Sequence, residues 1–133
     1  MIAHKAAVNR EAWVVIDAVG DPKNPEFPLK RPLTPLAYAA WLGRPGIMSM
    51  LLENGARVDQ KNSVTGRTAL HEAAIARMPH RWASYPYSEE RQTEVVKVLL
   101  RHGADKKIKD KDGKTALDLA KKPNAANVVR LLE

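Results

Sequence analysis

The sequence predicts an all-α solenoid, in which short helical repeats stack on one another. A Thr-x-Leu pattern occurs three times, as Thr34-Pro35-Leu36, Thr68-Ala69-Leu70 and Thr115-Ala116-Leu117. Each copy continues through small residues into an aliphatic run, and the three runs occupy residues 47–52, 95–100 and 128–132. Self-similarity of this kind is typical of stacked repeat proteins, which usually function by presenting a surface to a partner.

Each copy predicts two helices followed by a turn. The threonine caps the first helix through its hydroxyl, and Pro35 suits the first helical position, where no N–H partner is needed. The second helix carries apolar residues at i, i+3 and i+4, and in two copies it stops at a glycine that can adopt a left-handed cap. The polar segments 57–67 and 105–114 contain Gly66 and Gly113, which predict tight turns.

Composition limits the class of protein. Apolar residues make up 44% of the 133 residues but aromatic residues only 5%, so the core must consist of Ala, Val and Leu. The chain has no cysteine, which excludes disulfides and thiolate metal sites and favours an intracellular location, cytoplasmic or nuclear. No apolar run approaches the roughly 18 residues of a membrane span. The net charge of +7 speaks to partners rather than to fold.

Three segments resemble an ankyrin repeat. They are Gly66-Arg67-Thr68-Ala69-Leu70-His71-Glu72-Ala73-Ala74, Val95 to Asp105, and Asp112 to Ala120. The T-P-L-H-x-A signature and a period of about 33 residues belong to that family. The resemblance implies an all-α ankyrin-repeat solenoid of stacked helix-turn-helix units with β-hairpin-like turn fingers, acting in protein–protein interaction. It also implies that His71 hydrogen-bonds neighbouring turns.

The repeat register divides the single domain into four units. Stepping back about 33 residues from Ile47 and Met48 reaches Val14 and Val15, which predicts a degenerate first copy and places His4 at the family's His position. The predicted boundaries are repeat 1 at 1–21, a Pro-rich connector at 22–32, repeat 2 at 33–62, repeat 3 at 63–109 and repeat 4 at 110–133. The connector is interpreted as a rigid spacer, with a functional finger as the alternative.

Repeat 3 contains an insertion. Thr68 and Thr115 are 47 residues apart, 14 more than one period of about 33 residues. Ser88, followed by two glutamates, predicts that the second helix starts near Ser88, which leaves a loop of 77–87. Trp, Tyr and Arg are enriched at binding hot spots, so the loop is either a second contact or an aromatic cover for the helix. The residues concerned are Arg81, Trp82, Tyr85 and Tyr87.

The resemblance also implies where a partner binds, because ankyrin-like proteins usually bind along the concave side made by the turn tips and first helices. Carried onto this chain, the contact residues are Lys30, Arg31, Leu33, Trp41, Leu42, Arg67, Ile75, Lys111, Lys114 and Lys122, with Val64 and Asp112 at further matching positions. Six of them are basic, which indicates either a one-sided field for an acidic partner or a solvated Lys-rich surface. Trp41 is interpreted as an amphipathic anchor.

Enzyme signatures are absent. His71-Glu72 begins like a zinc-protease helix, but Ile75 stands where the second His ligand is needed, and no Gly-rich phosphate loop is present. We therefore predict a non-enzymatic monomer without metal or cofactor that binds an acidic, or mixed acidic and apolar, protein surface. The alternative is nucleic acid or another polyanion bound by the basic turn fingers. Against it, three aspartates interleave with the lysines of residues 105–114 and halve the local charge.

Overall fold

The computed structural model describes residues 8–16, 29–75, 89–121 and 126–133. Within these ranges it has strands β1 (Ala12–Ile16) and β2 (Leu29–Leu33) and helices α1 (Pro35–Leu42), α2 (Pro45–Glu53), α3 (Ala69–Ile75), α4 (Glu89–Arg101), α5 (Ala116–Lys121) and α6 (Ala126–Leu132). Consecutive helices pack as three pairs. The first helices α1, α3 and α5 contact one another in order, and so do the second helices α2, α4 and α6. The predicted stack of helix pairs is confirmed.

The caps predicted at Thr34 and Thr115 are present. The Thr34 hydroxyl accepts a hydrogen bond from the Ala37 N–H at 3.2 Å, and Pro35 occupies the start of α1. Thr115 caps α5 in the same way, with the Asp118 N–H at 3.3 Å. Because these bonds satisfy N–H groups that have no partner inside the helix, they define where α1 and α5 begin. At α3 the Thr68 hydroxyl lies 3.0 Å from the His71 ring nitrogen instead.

The core depends on small residues. Ala40, Ala74 and Ala120, one from each first helix, are completely buried, and so are Val96 and Leu99 of α4. Alanine has no side chain beyond Cβ, so neighbouring first helices can approach closely without leaving voids. The few aromatic residues of the sequence are therefore consistent with a well-packed core.

A hairpin stands where the repeat register predicts a helix. β1 pairs antiparallel with β2, and Ala12 lies opposite Leu33. The helix expected around Val14 and Val15 is therefore wrong. Residues 12–16 are Ala-Trp-Val-Val-Ile, and β-branched and aromatic residues favour an extended, half-buried backbone over a helix. Residues 29–32, expected as part of a connector, form the return strand.

The hairpin corresponds in position to the turns that precede the later first helices. Leu33 directly precedes Thr34, as Arg67 precedes Thr68 and Lys114 precedes Thr115. The turns before the later repeats close in the same way, with Asn62 N donating to Arg67 O at 2.7 Å and Asp110 N to Lys114 O at 2.9 Å. The hairpin is therefore an enlarged form of the turn finger that precedes each first helix.

The residues before the hairpin form hydrogen bonds with the end of repeat 2. The Asn9 Oδ1 accepts from Arg57 N at 2.7 Å, and its Nδ2 donates to Gly55 O at 3.0 Å. One repeat later, the Asp59 Oδ1 accepts from Asp105 N at 2.9 Å. Arg57 and Asp105 both lie two residues after the glycine that ends a second helix. Asn9 therefore makes the contact that Asp59 makes one repeat later. A fixed repeat period does not assign Asn9 to that position.

A side chain of α4 donates hydrogen bonds to the carbonyls at the end of α3. Helix α1 ends at Gly43, which has φ 69°, and the N–H groups of Gly43 and Arg44 donate to Ala40 O and Ala39 O. The matching carbonyls of α3 belong to Ala73 and Ala74, and both accept from the side-chain Nε2 of Gln92, at 2.8 and 3.4 Å. Gln92 lies on α4, which begins at Glu89 as the Ser88 signal predicts, and it is 2% exposed.

Replacing Gln92 with alanine is expected to lower the free energy of unfolding by about 2 kcal/mol, because two buried carbonyls of α3 lose their donor. Urea unfolding followed by circular dichroism measures the change. Glu94→Ala, an exposed substitution on the same helix, is the control and should change stability by less than about 0.5 kcal/mol. Equal effects of the two substitutions would show that Gln92 does not cap α3.

Candidate partner-binding surface

Three fingers precede the three first helices. We call them finger 1 (12–16 with 29–33), finger 2 (62–67) and finger 3 (110–114). Finger 2 is built on Asn62, whose Oδ1 accepts from Val64 N at 2.7 Å and from Thr65 N at 3.0 Å. The short side chain of Asn or Asp mimics a backbone turn in this way, so the residue at the base of the finger determines its shape.

Finger 3 repeats this design with a carboxylate. The Asp110 Oδ1 accepts from Asp112 N and from Lys114 N, each at 2.9 Å. Asp110 is therefore not the surface charge that the polar segment 105–114 predicts, and no prediction covered Asn62. The signal for both was an Asn or Asp three or four residues before the turn glycine, at Gly66 and Gly113.

The fingers bind one another side by side. The Lys111 N–H donates to Thr65 O at 3.0 Å, and the Lys111 Nζ donates to Ser63 O at 3.1 Å. Gly66 permits this approach, since a Cβ built there would lie 3.1 Å from the Lys111 nitrogen. On the other side of finger 2, the Glu11 carboxylate accepts from Ser63 N at 2.7 Å. Fingers 2 and 3, with the entry to finger 1, form a continuous ridge.

Arg67 forms an ion pair with Asp110 at the base of finger 3. Its Nε lies 3.5 Å from the Asp110 Oδ2, and the Asp110 side chain is only 1% exposed. Burial tends to raise the pKa of Asp110, but the N–H groups of Lys114 and Asp112 and the Arg67 guanidinium outweigh it and hold the pKa below its ordinary value. Arg67 is thus partly engaged in holding finger 3, which limits its role as a partner contact.

His71 connects the base of finger 3 to the helix behind it. The Thr68 N–H donates to His71 Nδ1 at 3.1 Å, and the His71 Nε2 lies 2.9 Å from Lys114 O. A backbone N–H can only donate, so Nδ1 is the acceptor and Nε2 carries the proton. Burial lowers the pKa of His71, which keeps the ring neutral. The predicted structural role of His71 is confirmed.

The structure separates the predicted contact residues by exposure. Leu42, Lys111 and Lys114 are exposed, Ile75 is half-buried, and Val64 is 50% exposed on finger 2. Val64 lies close to Lys111, because the carbonyls of its neighbours Ser63 and Thr65 accept from the Lys111 Nζ and N–H. Fingers 2 and 3 therefore expose both apolar and basic side chains.

Leu33 and Trp41 belong to the core, and their prediction as contacts is wrong. Leu33 is 2% and Trp41 8% exposed, and the Trp41 ring stacks on Tyr38 with centroids 6.4 Å apart. Every residue of α1 from Pro35 to Leu42 is apolar or aromatic. The sequence of α1 therefore has no polar face to indicate which side points outwards, and packing alone decides it.

The positive charge of the lysines around finger 3 is offset less than the three interleaved aspartates would indicate. Asp110 is buried in the finger and faces Arg67, so its charge is offset internally. Asp105 and Asp112 remain exposed. Five side chains carry positive charge on this exposed segment: Lys106, Lys107, Lys109, Lys111 and Lys114.

Several predicted residues cannot be placed on this surface. The backbone of Lys30 and Arg31 lies in β2. Outside the described residues lie Lys122 and the proposed second contact, namely Arg81, Trp82, Tyr85 and Tyr87. Their roles stay predictions. Within the ranges the structure does describe, no three His, Asp or Glu side chains group together as a metal site, and no helix is long and apolar enough to cross a bilayer.

Comparison with known proteins identifies the repeat. A model of the ankyrin repeat family matches residues 33–63 and 65–111, which is more than half of the chain. Mouse "Ankyrin repeat and SAM domain-containing protein 6" is 36% identical over 101 residues, covering 74% of this chain and 10% of that protein. "Putative E3 ubiquitin-protein ligase XBAT34" of Arabidopsis thaliana is 35% identical over 88 residues, covering 65% and 20%.

A viral protein is similar to the same extent. "Putative ankyrin repeat protein FPV031" of fowlpox virus is 35% identical over 94 residues, covering 71% of this chain and 24% of that protein. The chain therefore spans between a tenth and a quarter of the length of these curated relatives. What is similar is the repeat region, and the other regions of the relatives have no counterpart in the match.

Proposed function

Because this chain belongs to the ankyrin repeat family, we propose that it binds an acidic, partly apolar segment of a partner protein along fingers 2 and 3 and the first helices. Ankyrin repeats are generally protein–protein interaction modules, and the family is non-enzymatic. The ligase activity in the printed name of one relative is not carried over, since the chain matches only 20% of that protein.

The observation that carries the proposal is the composition of the finger 2–finger 3 ridge. Val64 provides an exposed apolar side chain, Lys111 provides positive charge beside it, and Lys114 adds a second exposed charge on finger 3. Neither lysine forms an ion pair with any residue that the structure describes. An acidic segment would approach faster because of the field, and an apolar side chain of that segment would cover Val64.

The rigidity of the ridge supports recognition without rearrangement. Asn62 and Asp110 hold the two finger turns, and Lys111 N joins the fingers. Since these contacts exist before the partner arrives, binding orders few additional groups, which reduces its entropic cost. Leu42 on α1 is exposed as the resemblance implies and is included in the proposed concave surface.

The alternative function is binding of a nucleic acid or another polyanion by the basic fingers. The five exposed lysines of residues 106–114 favour it. Phosphate contacts release counterions, so the logarithm of the binding constant would fall with a slope of about −0.9 per contact against the logarithm of salt. A protein complex that covers Val64 and Leu42 depends less on salt, since apolar burial is not screened.

Selection of peptides from a random display library on the immobilised chain tests the proposal. We expect the enriched peptides to combine Asp or Glu with a large apolar residue. Lys111→Glu with Lys114→Glu should weaken their binding at least about tenfold, because each reversal replaces attraction by repulsion. Lys97→Glu, a single reversal of the same kind on α4 where Lys97 pairs with Glu94, is the control for Lys111→Glu and Lys114→Glu made one at a time, and it should leave binding within about twofold.

The outcomes are distinguishable. Enrichment without acidic residues, or equal effects of the finger and α4 reversals, would contradict the proposed surface. Tighter binding of single-stranded or duplex nucleic acid than of any selected peptide, with a steep salt slope, would favour the polyanion alternative. Circular dichroism melting of each variant establishes that the fold is retained.

A further inference from the structure

The first helix pair exposes an apolar face. Tyr38 and Leu42 on α1 are 37% and 42% exposed, and Ile47 and Met50 on α2 are 52% and 63% exposed. Among the described residues, Val64 on finger 2 is the one other large apolar residue with comparable exposure. We call these four side chains the α1–α2 face. None of them contributes to the finger ridge, although Leu42 also belongs to the proposed concave surface.

In the next repeat, the residues that correspond to Ile47 and Met50 are buried against the preceding helix. Gly55 and Gly103 end α2 and α4, so Ile47 and Met50 correspond to Val95 and Val98. Val95 is 0% and Val98 6% exposed, and α2 packs against α4.

The first helices show the same difference. Tyr38 lies four residues after Thr34, as Glu72 lies four residues after Thr68. Glu72 is 1% exposed, and α1 packs against α3. The surface that is open on α1–α2 is therefore covered by helices in the repeat that follows.

A second copy of the chain is a poor occupant. At the other end of the stack, α5 and α6 expose Lys121, Asn127 and Arg130, so head-to-tail stacking would bury polar groups against the apolar face. Face-to-face pairing would bring together two chains of net charge +7. Residues 35–53 include one basic and one acidic residue, Arg44 between the two helices and Glu53 at the end of α2, so this segment is neutral and the field comes from the whole chain.

We propose that the α1–α2 face binds an amphipathic helix of an acidic partner protein. The apolar side of that helix lies on Tyr38, Leu42, Ile47 and Met50. It covers them as α1 and α2 cover the corresponding residues of the following repeat. Helix-in-groove recognition uses apolar residues at i, i+3, i+4 and i+7. Met50 suits this role because its flexible, polarisable side chain adapts to the surface that covers it.

Three synthetic peptides test the proposal by fluorescence anisotropy on the full chain. The probe is a peptide of about 18 residues, or five helical turns, with Leu at i, i+3, i+4 and i+7 and Glu at most other positions. The first control has the same composition in permuted order, and the second has Lys in place of Glu. We expect a Kd in about the micromolar range for the probe and at least about tenfold weaker binding of both controls.

Substitutions assign the binding to the face. Ile47→Glu or Met50→Glu should weaken probe binding at least about tenfold, since a charge then lies in the apolar contact. Ala126→Glu adds the same charge at an exposed position of α6, at the other end of the stack, and should leave binding within about twofold. Lys111→Glu with Lys114→Glu impairs the finger surface, so retained probe binding in this variant separates the two proposals.

Equal binding of the probe and its permuted control would overturn the proposal, and so would binding that is insensitive to Ile47→Glu and Met50→Glu. Sedimentation equilibrium of the chain alone tests the other occupant. A wild-type dimer that Met50→Glu dissociates and Val64→Glu does not would assign the face to a second copy, and would overturn the assignment to an acidic partner helix.

Discussion

Replacing Asp110 with alanine is expected to lower the free energy of unfolding by about 3 kcal/mol, because three donors lose a buried acceptor at once. The Asp110 carboxylate accepts from the N–H groups of Asp112 and Lys114 and pairs with the Arg67 guanidinium. Its loss leaves Arg67 partly buried without that partner and releases the turn of finger 3. Urea unfolding at neutral pH measures the change.

Asp110→Asn is the matched control, since Asn62 performs the same task in finger 2. The amide oxygen should keep both backbone hydrogen bonds and lose only the charge that faces Arg67. We therefore expect a cost of about 1 kcal/mol for this variant. If Asp110→Asn proves as damaging as Asp110→Ala, the ion pair rather than the turn geometry holds the finger.

The stability of the chain is expected to fall as the pH drops below about 6.5, and His71 should account for part of that fall. The folded state lowers the pKa of His71 from its ordinary value of 6.5, mainly through burial. In the unfolded chain the ring takes up a proton below that value, while the folded chain resists it. The stability that His71 contributes is therefore complete above 6.5 and is lost as the pH falls below it.

The structural reason is the hydrogen bond at Nδ1. Protonation would turn this nitrogen into a donor that faces the Thr68 N–H, and it would add a positive charge near Arg67. The free energy of unfolding should decline by up to about 1.4 kcal/mol per pH unit from this group. His71→Leu should reduce the slope between pH 6.5 and 5, and it should also cost about 3 kcal/mol at neutral pH because the hydrogen bonds to Thr68 and Lys114 are lost.

His102→Gln provides the comparison, because His102 is exposed at the end of α4. A slope that persists in His71→Leu and disappears in His102→Gln would contradict the role assigned to His71.

The helical part of the fold could be predicted because its signals are local. Thr34 and Thr115 cap the helices that follow them, and Gly55 and Gly103 adopt positive φ after α2 and α4. Each of these effects involves a residue and its neighbours within one turn, so one sequence is enough to recognise it. The alanine pairs were likewise correctly assigned to the core.

The site was predicted less completely. Exposed Lys111 and Lys114 follow from their place in a polar turn. Trp41 could not be placed, because α1 is apolar on every side and only the neighbouring helices decide which residues they cover. The role of Gln92 could not be predicted from the sequence either, since its partners are carbonyls of α3, 18 and 19 residues earlier in the chain.

The sequence alone determined the repeat: where α1 and α5 start, where α2 and α4 stop, which small residues meet in the core, and which family the chain belongs to. Tertiary structure decided the rest. It paired residues 12–16 with 29–33 as a finger, enclosed Asp110 beneath Arg67, buried Trp41 and left Ile47 and Met50 exposed. The physical reason is that caps and turns depend on adjacent residues, whereas exposure, pairing and net surface charge depend on which distant segments pack together.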